Sequence, residues 1–480
     1  MTELSFTLLD WGIIFFYFCF LVYLSWKREG EDKDEEAFLL SGRKMTLPAF
    51  VATLVSTWYG GILGVGEYSY QFGISQWLLF GFPFYVFSAL FAWLLAGKIR
   101  MNKALSLPEA VGNFYGEKAG RFSAIPVFIL VSPAPYILML GLIFQYLTGG
   151  NGDFLWYASA VALFSVAYVT FGGFSAVVRT DMLQVILMFA GFAFLLFYAG
   201  AEFGSLSKLW NVVPDNYRDL TGGHNIQYIL VWFFIALWTF VDPSFHQRAA
   251  AAKTPETAQK GIFISILLWS VFDFMTLFSG MFGWAILGPD LNEPIMVYPY
   301  LANEILPMGM KGVFFVALMA IIMSTMDSYL FLSGQTLGRD LLVKLFPNIS
   351  NNRLTRISVF IAAILGILLI IVYPSVIDIW YVIGSVMIPG ILLPVLGIYI
   401  RLFTLKKGWV VPTMVVCIGI SLFWLILGTI YSTEAYSYTF LGLEPFYPGL
   451  FASILFWLFG RDKSEDLIAE TEFTRELKNE

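Results

Sequence analysis

The chain reads as an all-α polytopic membrane protein with about 13 transmembrane helices, a number set by its runs of some 20 apolar residues. Three observations carry the reading. Of 480 residues, 58% are hydrophobic and 13% charged, with a mean hydropathy of +0.75; an ordinary globular chain is about 45 to 50% apolar and 25% charged. Apolar runs recur along most of the length, each long enough to cross a hydrocarbon core of roughly 30 Å as a helix. The basic residues then sort to one side of the resulting topology. Transmembrane β-barrels alternate polar and apolar residues in short segments, a pattern this sequence does not follow.

The first span, near 6-26, follows Met1-Thr2-Glu3 and precedes Lys27 and Arg28. Without a basic n-region it predicts a retained span with its N-terminus outside, not a cleaved signal peptide. The next spans are expected at 47-71, 76-97, 122-148, 154-171 and 177-201, and a second set at 226-243, 261-287, 312-334, 355-373 and 377-400. Two more, 409-431 and 446-460, return the chain to the cytoplasmic side, where the tail 461-480 follows. On this topology every lysine and arginine except Lys208, Arg218 and Lys311 faces the cytoplasm, the bias of the positive-inside rule. One span missed or invented would move every later loop across the membrane, so the bias supports the odd number. The acidic stretch Glu29, Glu31, Asp32, Asp34, Glu35 and Glu36 reads as a solvated cytoplasmic linker, like the tail.

Two spans look interrupted. The second holds Gly60, Gly61, Gly64 and Gly66, and the seventh, five spans later, ends in Trp238-Thr239-Phe240-Val241-Asp242-Pro243. Broken helices at matching positions of two halves point to inverted repeats with a midplane site where unwound carbonyls face an ion. The alternative is that the glycines only permit close helix packing. The expected division is 1-46 for the first helix and linker, 47-201 and 202-400 for two five-helix repeats, 401-460 for two further helices and 461-480 for the tail. Cys19 and Cys417 fall inside spans and His224 and His246 lie far apart, so no disulfide framework, zinc site or haem motif is supported.

The ninth span carries Ser324-Thr325-Met326-Asp327-Ser328 in otherwise apolar surroundings. A carboxylate at bilayer depth costs roughly 2.5 to 3.5 kcal/mol on insertion scales, so it rarely stays without a partner or a task. Ser324 and Thr325 diverge by about 100° on one helix and can straddle an ion only from one side. Carbonyl oxygens of a broken helix would have to complete the shell. The plainer reading of both hydroxyls is back-bonding to the carbonyl four residues earlier. Asp242, Asp273 and Glu67 are further acidic residues in or beside spans, with packing or pairing as their ordinary role.

These residues resemble the sodium:solute symporter family nearly end to end. The resemblance rests on Leu39-Leu40-Ser41-Gly42-Arg43, on Phe171-Gly172-Gly173-Phe174-Ser175 running to Arg179-Thr180-Asp181-Met182-Leu183-Gln184, and on Asp242-Pro243-Ser244-Phe245-His246-Gln247-Arg248. Ser324-Thr325-Met326-Asp327-Ser328 with Arg339-Asp340-Leu341, then Ile383-Gly384-Ser385 and Pro389-Gly390, complete it in order. It implies a ten-helix inverted-repeat core of the leucine-transporter type over spans two to eleven. It also implies one sodium site made by the hydroxyls of Ser324 and Thr325 with the carbonyls of Ser56, Tyr59 and Ile321; a register one residue earlier would give Val55 and Trp58. Asp181, with Ser324, Asp327 and Ser328, corresponds to residues that hold a second sodium in some members. Asp327 departs from the hydroxyl expected there, and Asp181 could instead pair with Arg179.

The function so implied is sodium-coupled symport of a small organic solute by alternating access, in a multi-pass protein of the cell membrane. The partners expected are the solute, sodium and the lipid bilayer, with no nucleic acid, no cofactor beyond Na+ and no obligate protein partner indicated. The solute would sit between the broken helices near Thr57, Tyr59, Gln145, Trp238 and Phe240. Sodium/proline symporters carry a Trp and Tyr pair in the seventh span where Ile235 and Thr239 stand here, which argues against proline. The rivals are a proton-coupled or uncoupled carrier, with Asp181 or Asp327 taking the proton, and a transporter-like solute sensor. A membrane enzyme is not expected, because no triad, metal cluster or phosphate-cradling loop emerges.

Overall fold

A computed structural model describes residues 5–26, 35–431 and 438–463. Lys27, Arg28, the acidic residues Glu29 to Asp34, and the tail from Ser464 lie outside the described residues. Every predicted span is helical. Among the described residues, eleven helices are long and apolar enough to cross a bilayer, and two shorter apolar ones, Phe154–Thr170 and Phe446–Gly460, fill the remaining places.

In chain order the spans are α1 Leu8–Trp26, α2 Leu47–Phe72, α3 Trp77–Met101, α4 Glu117–Leu147, α5 Phe154–Thr170 and α6 Gly172–Phe203. There follow α7 Ile226–Ala251, α8 Pro255–Leu287, α9 Met310–Leu342, α10 Asn351–Val372, α11 Val376–Tyr399, α12 Lys407–Tyr431 and α13 Phe446–Gly460. The chain turns from α5 into α6 at Gly173 (φ 60, ψ -166), with no loop between them.

α9 is the centre of the bundle. It is buried without interruption from Phe314 to Gln335 and packs against α1, α2, α4, α5, α6 and α10. A helix apolar on all sides is stable only when neighbours surround it, so the hydroxyls and carboxylate of 324–328 are set among protein. The peripheral helices α1, α10 and α12 expose Phe15, Phe16, Leu368, Val372, Phe423 and Ile430, as an apolar solvent allows.

Both predicted interruptions are real. α2 is α-helical to Trp58, tightens to a 3₁₀ turn over Tyr59–Gly61, and resumes at Ile62. α7 runs to Ile235, continues through short-range bonds such as Thr239 N–H to the Ala236 carbonyl, and breaks at Asp242 (φ -69, ψ 114). The Asp242 carboxylate then accepts from the Ser244 N–H at 2.7 Å and caps a last segment, Pro243–Ala251. That segment extends the seventh span beyond its predicted end at 243. α4 has a third, unpredicted break over Val131–Pro133, where Pro133 cannot continue the hydrogen-bond ladder.

Charge alone predicts a solvated linker before α2. Instead Glu35–Leu40 is helical, with Phe38, Leu39 and Leu40 buried. Glu35 accepts from Arg339 at 2.5 Å, and Arg339 also pairs with Glu109 and Asp340 at 3.1 Å each. Ser106 donates to Asp340 at 2.9 Å. This network ties the linker, the short helix Leu107–Tyr115 and the end of α9 together at one end of the bundle.

Candidate ion and substrate sites

The interruption in α2 lies against the hydroxyls of α9. Thr325 donates from Oγ1 to the Thr57 carbonyl at 2.6 Å, so its hydroxyl bonds across to α2. The contact is possible because residue 60 is glycine: a Cβ there would stand 2.2 Å from both Cβ and Oγ1 of Thr325. Gly60→Ala should therefore force α2 and α9 apart. Overpacking of this kind costs roughly 1 to 3 kcal/mol, and thermal unfolding of the purified variant should show a clear drop in midpoint.

Ser324 turns the other way and donates to Asp181 Oδ1 of α6 at 2.6 Å. Thr53 of α2 donates to Oδ2 of the same carboxylate. Its counter-ion is not Arg179, whose Nε donates to the Leu24 carbonyl at 3.2 Å, but Arg248, at 3.5 Å. Both Arg248 and Asp181 are fully buried. Arg248 Nη2 donates to Thr57 Oγ1 at 2.5 Å, to Ser328 Oγ at 2.9 Å and to Thr53 Oγ1 at 3.0 Å. The guanidinium thus occupies the centre of a ring of oxygens from α2, α6 and α9.

Of the residues expected at the sodium site, Ser324 and Thr325 meet the second helix at Thr57, between Ser56 and Tyr59. Ser56 donates its hydroxyl to the Ala52 carbonyl at 3.0 Å. Tyr59 directs its phenol to Asp273 and to the Trp269 carbonyl at 3.1 Å, and Ile321 is buried in mid-helix. Among the second group, Asp181, Ser324 and Ser328 converge with Arg248. Asp327 instead receives the Tyr168 phenol from α5 and does not join them. Its neighbour in sequence, Ser328, lies 3.3 Å from Thr57 Oγ1.

Beside this cluster is a cavity of about 120 Å³. Thr57, Tyr59 and Trp238 line it; Gln145 and Phe240 do not. Gln145 stands half-buried near the end of α4, where its carbonyl accepts from the Gly150 N–H at 2.9 Å. Phe240 packs into the protein against Phe87 and Phe91. Sequence reasoning missed the walls supplied by Trp58, Phe84, Tyr136 and Trp380. The α4 break contributes Ser132, and the run Ser132-Pro133-Ala134-Pro135 was the available signal. A second, smaller cavity, of about 30 Å³, lies beyond α7 and is lined by Ser106, His246, Gln247, Gln335 and Tyr399. Asp242 and Ser244 face the first cavity while Pro243, His246 and Gln247 face the second, so the last segment of α7 is the wall between them.

A model of the sodium:solute symporter family matches residues 38–437. The chain belongs to the sodium:solute symporter family. This family member is 25% identical over 352 residues to a sodium/glucose cotransporter of Vibrio parahaemolyticus, covering 64% of the chain and 63% of the relative. It is 27% identical over 322 residues to a sodium/pantothenate symporter of Escherichia coli (strain K12), covering 63% of the chain and 64% of the relative. The chain thus spans somewhat less than two thirds of the length of these two relatives. Its fold is similar to that of a Na+-coupled sialic acid symporter solved in a substrate-bound outward-open state, with a TM-score of 0.77 over 95% of this chain and 97% of that one, at 15% identity. The likeness places the symporter-family chain in the leucine-transporter-like fold, with its ten-helix inverted-repeat core. The family and these relatives are transporters, not enzymes.

Proposed function

We propose that the protein is a secondary active transporter that brings a small organic solute into the cell by sodium-coupled symport. The observation that carries this reading is the position of Thr57. Its carbonyl takes the Thr325 hydroxyl, its hydroxyl takes Arg248, and the same residue lines the cavity. An ion drawn to the carbonyls near Thr57 and the hydroxyls of Ser324 and Thr325 would fix the backbone that forms the solute's wall. Coupling of this kind is reciprocal: sodium raises solute affinity by the factor by which solute raises sodium affinity. The names of the relatives, sodium/glucose and sodium/pantothenate symporters, support the choice of ion.

A single sodium per cycle fits the donor set. The oxygens of Asp181, Thr53, Thr57 and Ser328, where a second ion would sit, already surround the tethered cation Arg248. One charge moved inward through 100 mV supplies about 2.3 kcal/mol in addition to the sodium gradient. The two cavities on either side of the α7 wall support alternating access, with solute passing from one to the other as the wall yields. The protein would lie in the cell membrane with its N-terminus outside and its C-terminus in the cytoplasm, acting without an obligate protein partner.

The test is thermal unfolding of purified protein in sodium against potassium at equal ionic strength, followed by uptake into proteoliposomes. A ligand that binds only the folded state raises stability by RT ln(1 + [L]/Kd). Sodium-specific stabilisation and sodium-driven uptake are expected. Stability indifferent to sodium, with uptake driven by a pH gradient, would replace sodium by the proton and point to Asp327.

A further inference from the structure

Resting on that symport reading, we propose that the solute is a small organic cation: an ammonium compound bearing a hydroxyl oxygen and no carboxylate. The cavity walls hold two carboxylates, Asp242 and Asp273, and no lysine, arginine or histidine among the described residues. The two differ in how their charge is met. Asp242 caps the last segment of α7, whose helix N-terminus favours an anion, and Arg248 follows on the same segment. Asp273, in the middle of α8, is met by two phenols, Tyr59 on Oδ1 and Tyr85 on Oδ2. No cationic side chain faces it from the cavity. The two phenols supply hydrogen bonds to this carboxylate but no opposite charge, and the bound solute can supply that.

The surroundings are arranged around that carboxylate. α3 passes it in a π-helical turn, Trp77–Gly81, a departure from α-helix that often marks a functional site. At Gly81 a Cβ would stand 2.9 Å from Asp273 Oδ2. The walls on either side are aromatic. The Trp58 and Phe84 rings pack edge to face at 4.7 Å, and Trp380 lies against the backbone of Gly61 at the α2 break. Electron-rich ring faces attract an ammonium group and hold it better once water is excluded. Trp238 lines the same cavity, and its buried indole N–H has no acceptor among the described residues. A hydroxyl oxygen on the solute would satisfy it. A carboxylate on the solute would meet two aspartates with no neutralising side chain in the cavity.

The probes are choline and ethanolamine, compared with glycine betaine, propionate and glucose, each titrated against thermal stability of the full chain in sodium. Choline and glycine betaine share a head group and differ in carrying a hydroxyl or a carboxylate. Stabilisation by choline or ethanolamine is expected at concentrations at least about tenfold below those for the other three, a difference worth about 1.4 kcal/mol. Asp273→Asn should raise the concentration needed by at least about tenfold again, while stabilisation by sodium alone persists. If that variant fails to fold, Trp380→Leu, which removes only a ring, should weaken choline and leave the sodium effect. Tighter action by glycine betaine, propionate or glucose, or none by either ammonium compound, overturns the cation assignment while a sodium effect keeps the symport reading. Loss of the sodium effect in Asp273→Asn would assign that carboxylate to sodium and overturn the proposal as well.

Discussion

Arg248→Met should abolish sodium-coupled uptake and lower the stability of the purified protein by roughly 3 to 5 kcal/mol, the cost of leaving one partner of a buried ion pair uncompensated. The substitution keeps most of the side chain's volume, so the loss is electrostatic. Asp181 would remain buried with only the Ser324 and Thr53 hydroxyls for company, and Thr57 and Ser328 would lose their shared donor. Adding Asp181→Asn removes the orphaned charge and should recover a large part of the stability. It should not recover transport, because the asparagine and methionine leave Thr57 untethered to α6. Stability is read from thermal or denaturant unfolding, and transport from uptake into proteoliposomes. Arg248→Met with wild-type stability would show that the pair is not an energetic unit. Full recovery of uptake in the double variant would show that it is only structural.

Arg248 also shows where the sequence stopped being informative. In the chain it stands just past a predicted span, among residues that read as a cytoplasmic loop, and it sorts with the other loop cations. Its burial depends on α7 resuming after Asp242 and on a carboxylate in a different helix, and neither is a local property. The spans themselves were legible because a bilayer leaves the backbone no alternative to long apolar helices. The breaks in α2 and α7 were legible because glycine and proline mark them. The α4 break went unread although Ser132-Pro133-Ala134-Pro135 carries the same kind of mark, since one apolar run continues through it.

Side-chain direction was the other limit. Gln145, Trp238 and Phe240 all lie on helices near the two interruptions, yet only Trp238 reaches the cavity. Which face of a helix meets a cavity is fixed by its neighbours, and Phe240 is claimed by Phe87 and Phe91. Asp327 is comparable. It lies three residues from Ser324 and so near the same helical face, but the Tyr168 phenol of α5 takes its carboxylate. Which partner each of these residues takes is set by packing between helices, which the local sequence does not display.

Removing the hydroxyls of Ser324 and Thr325 together should raise the sodium concentration for half-maximal uptake by two orders of magnitude or more. Each hydroxyl facing a desolvated cation contributes about 1.5 to 3 kcal/mol, in the manner of a hydrogen bond to a charged group, and about 1.4 kcal/mol is a factor of ten. The double alanine variant loses oxygen atoms and little volume, so its fold should survive and its insertion should match the wild type. The two positions should also separate. Ser324→Ala frees Asp181 Oδ1, whereas Thr325→Ala frees the Thr57 carbonyl at the α2 break. Thr325→Ser restores that oxygen without the methyl group and should return sodium dependence close to the wild-type value. Sodium-dependent unfolding temperatures of the same variants give an independent readout, because the stabilisation by bound ion falls with its affinity. A folded double variant with wild-type sodium dependence would remove both hydroxyls from the ion site, leaving Thr325 as a strut between α2 and α9.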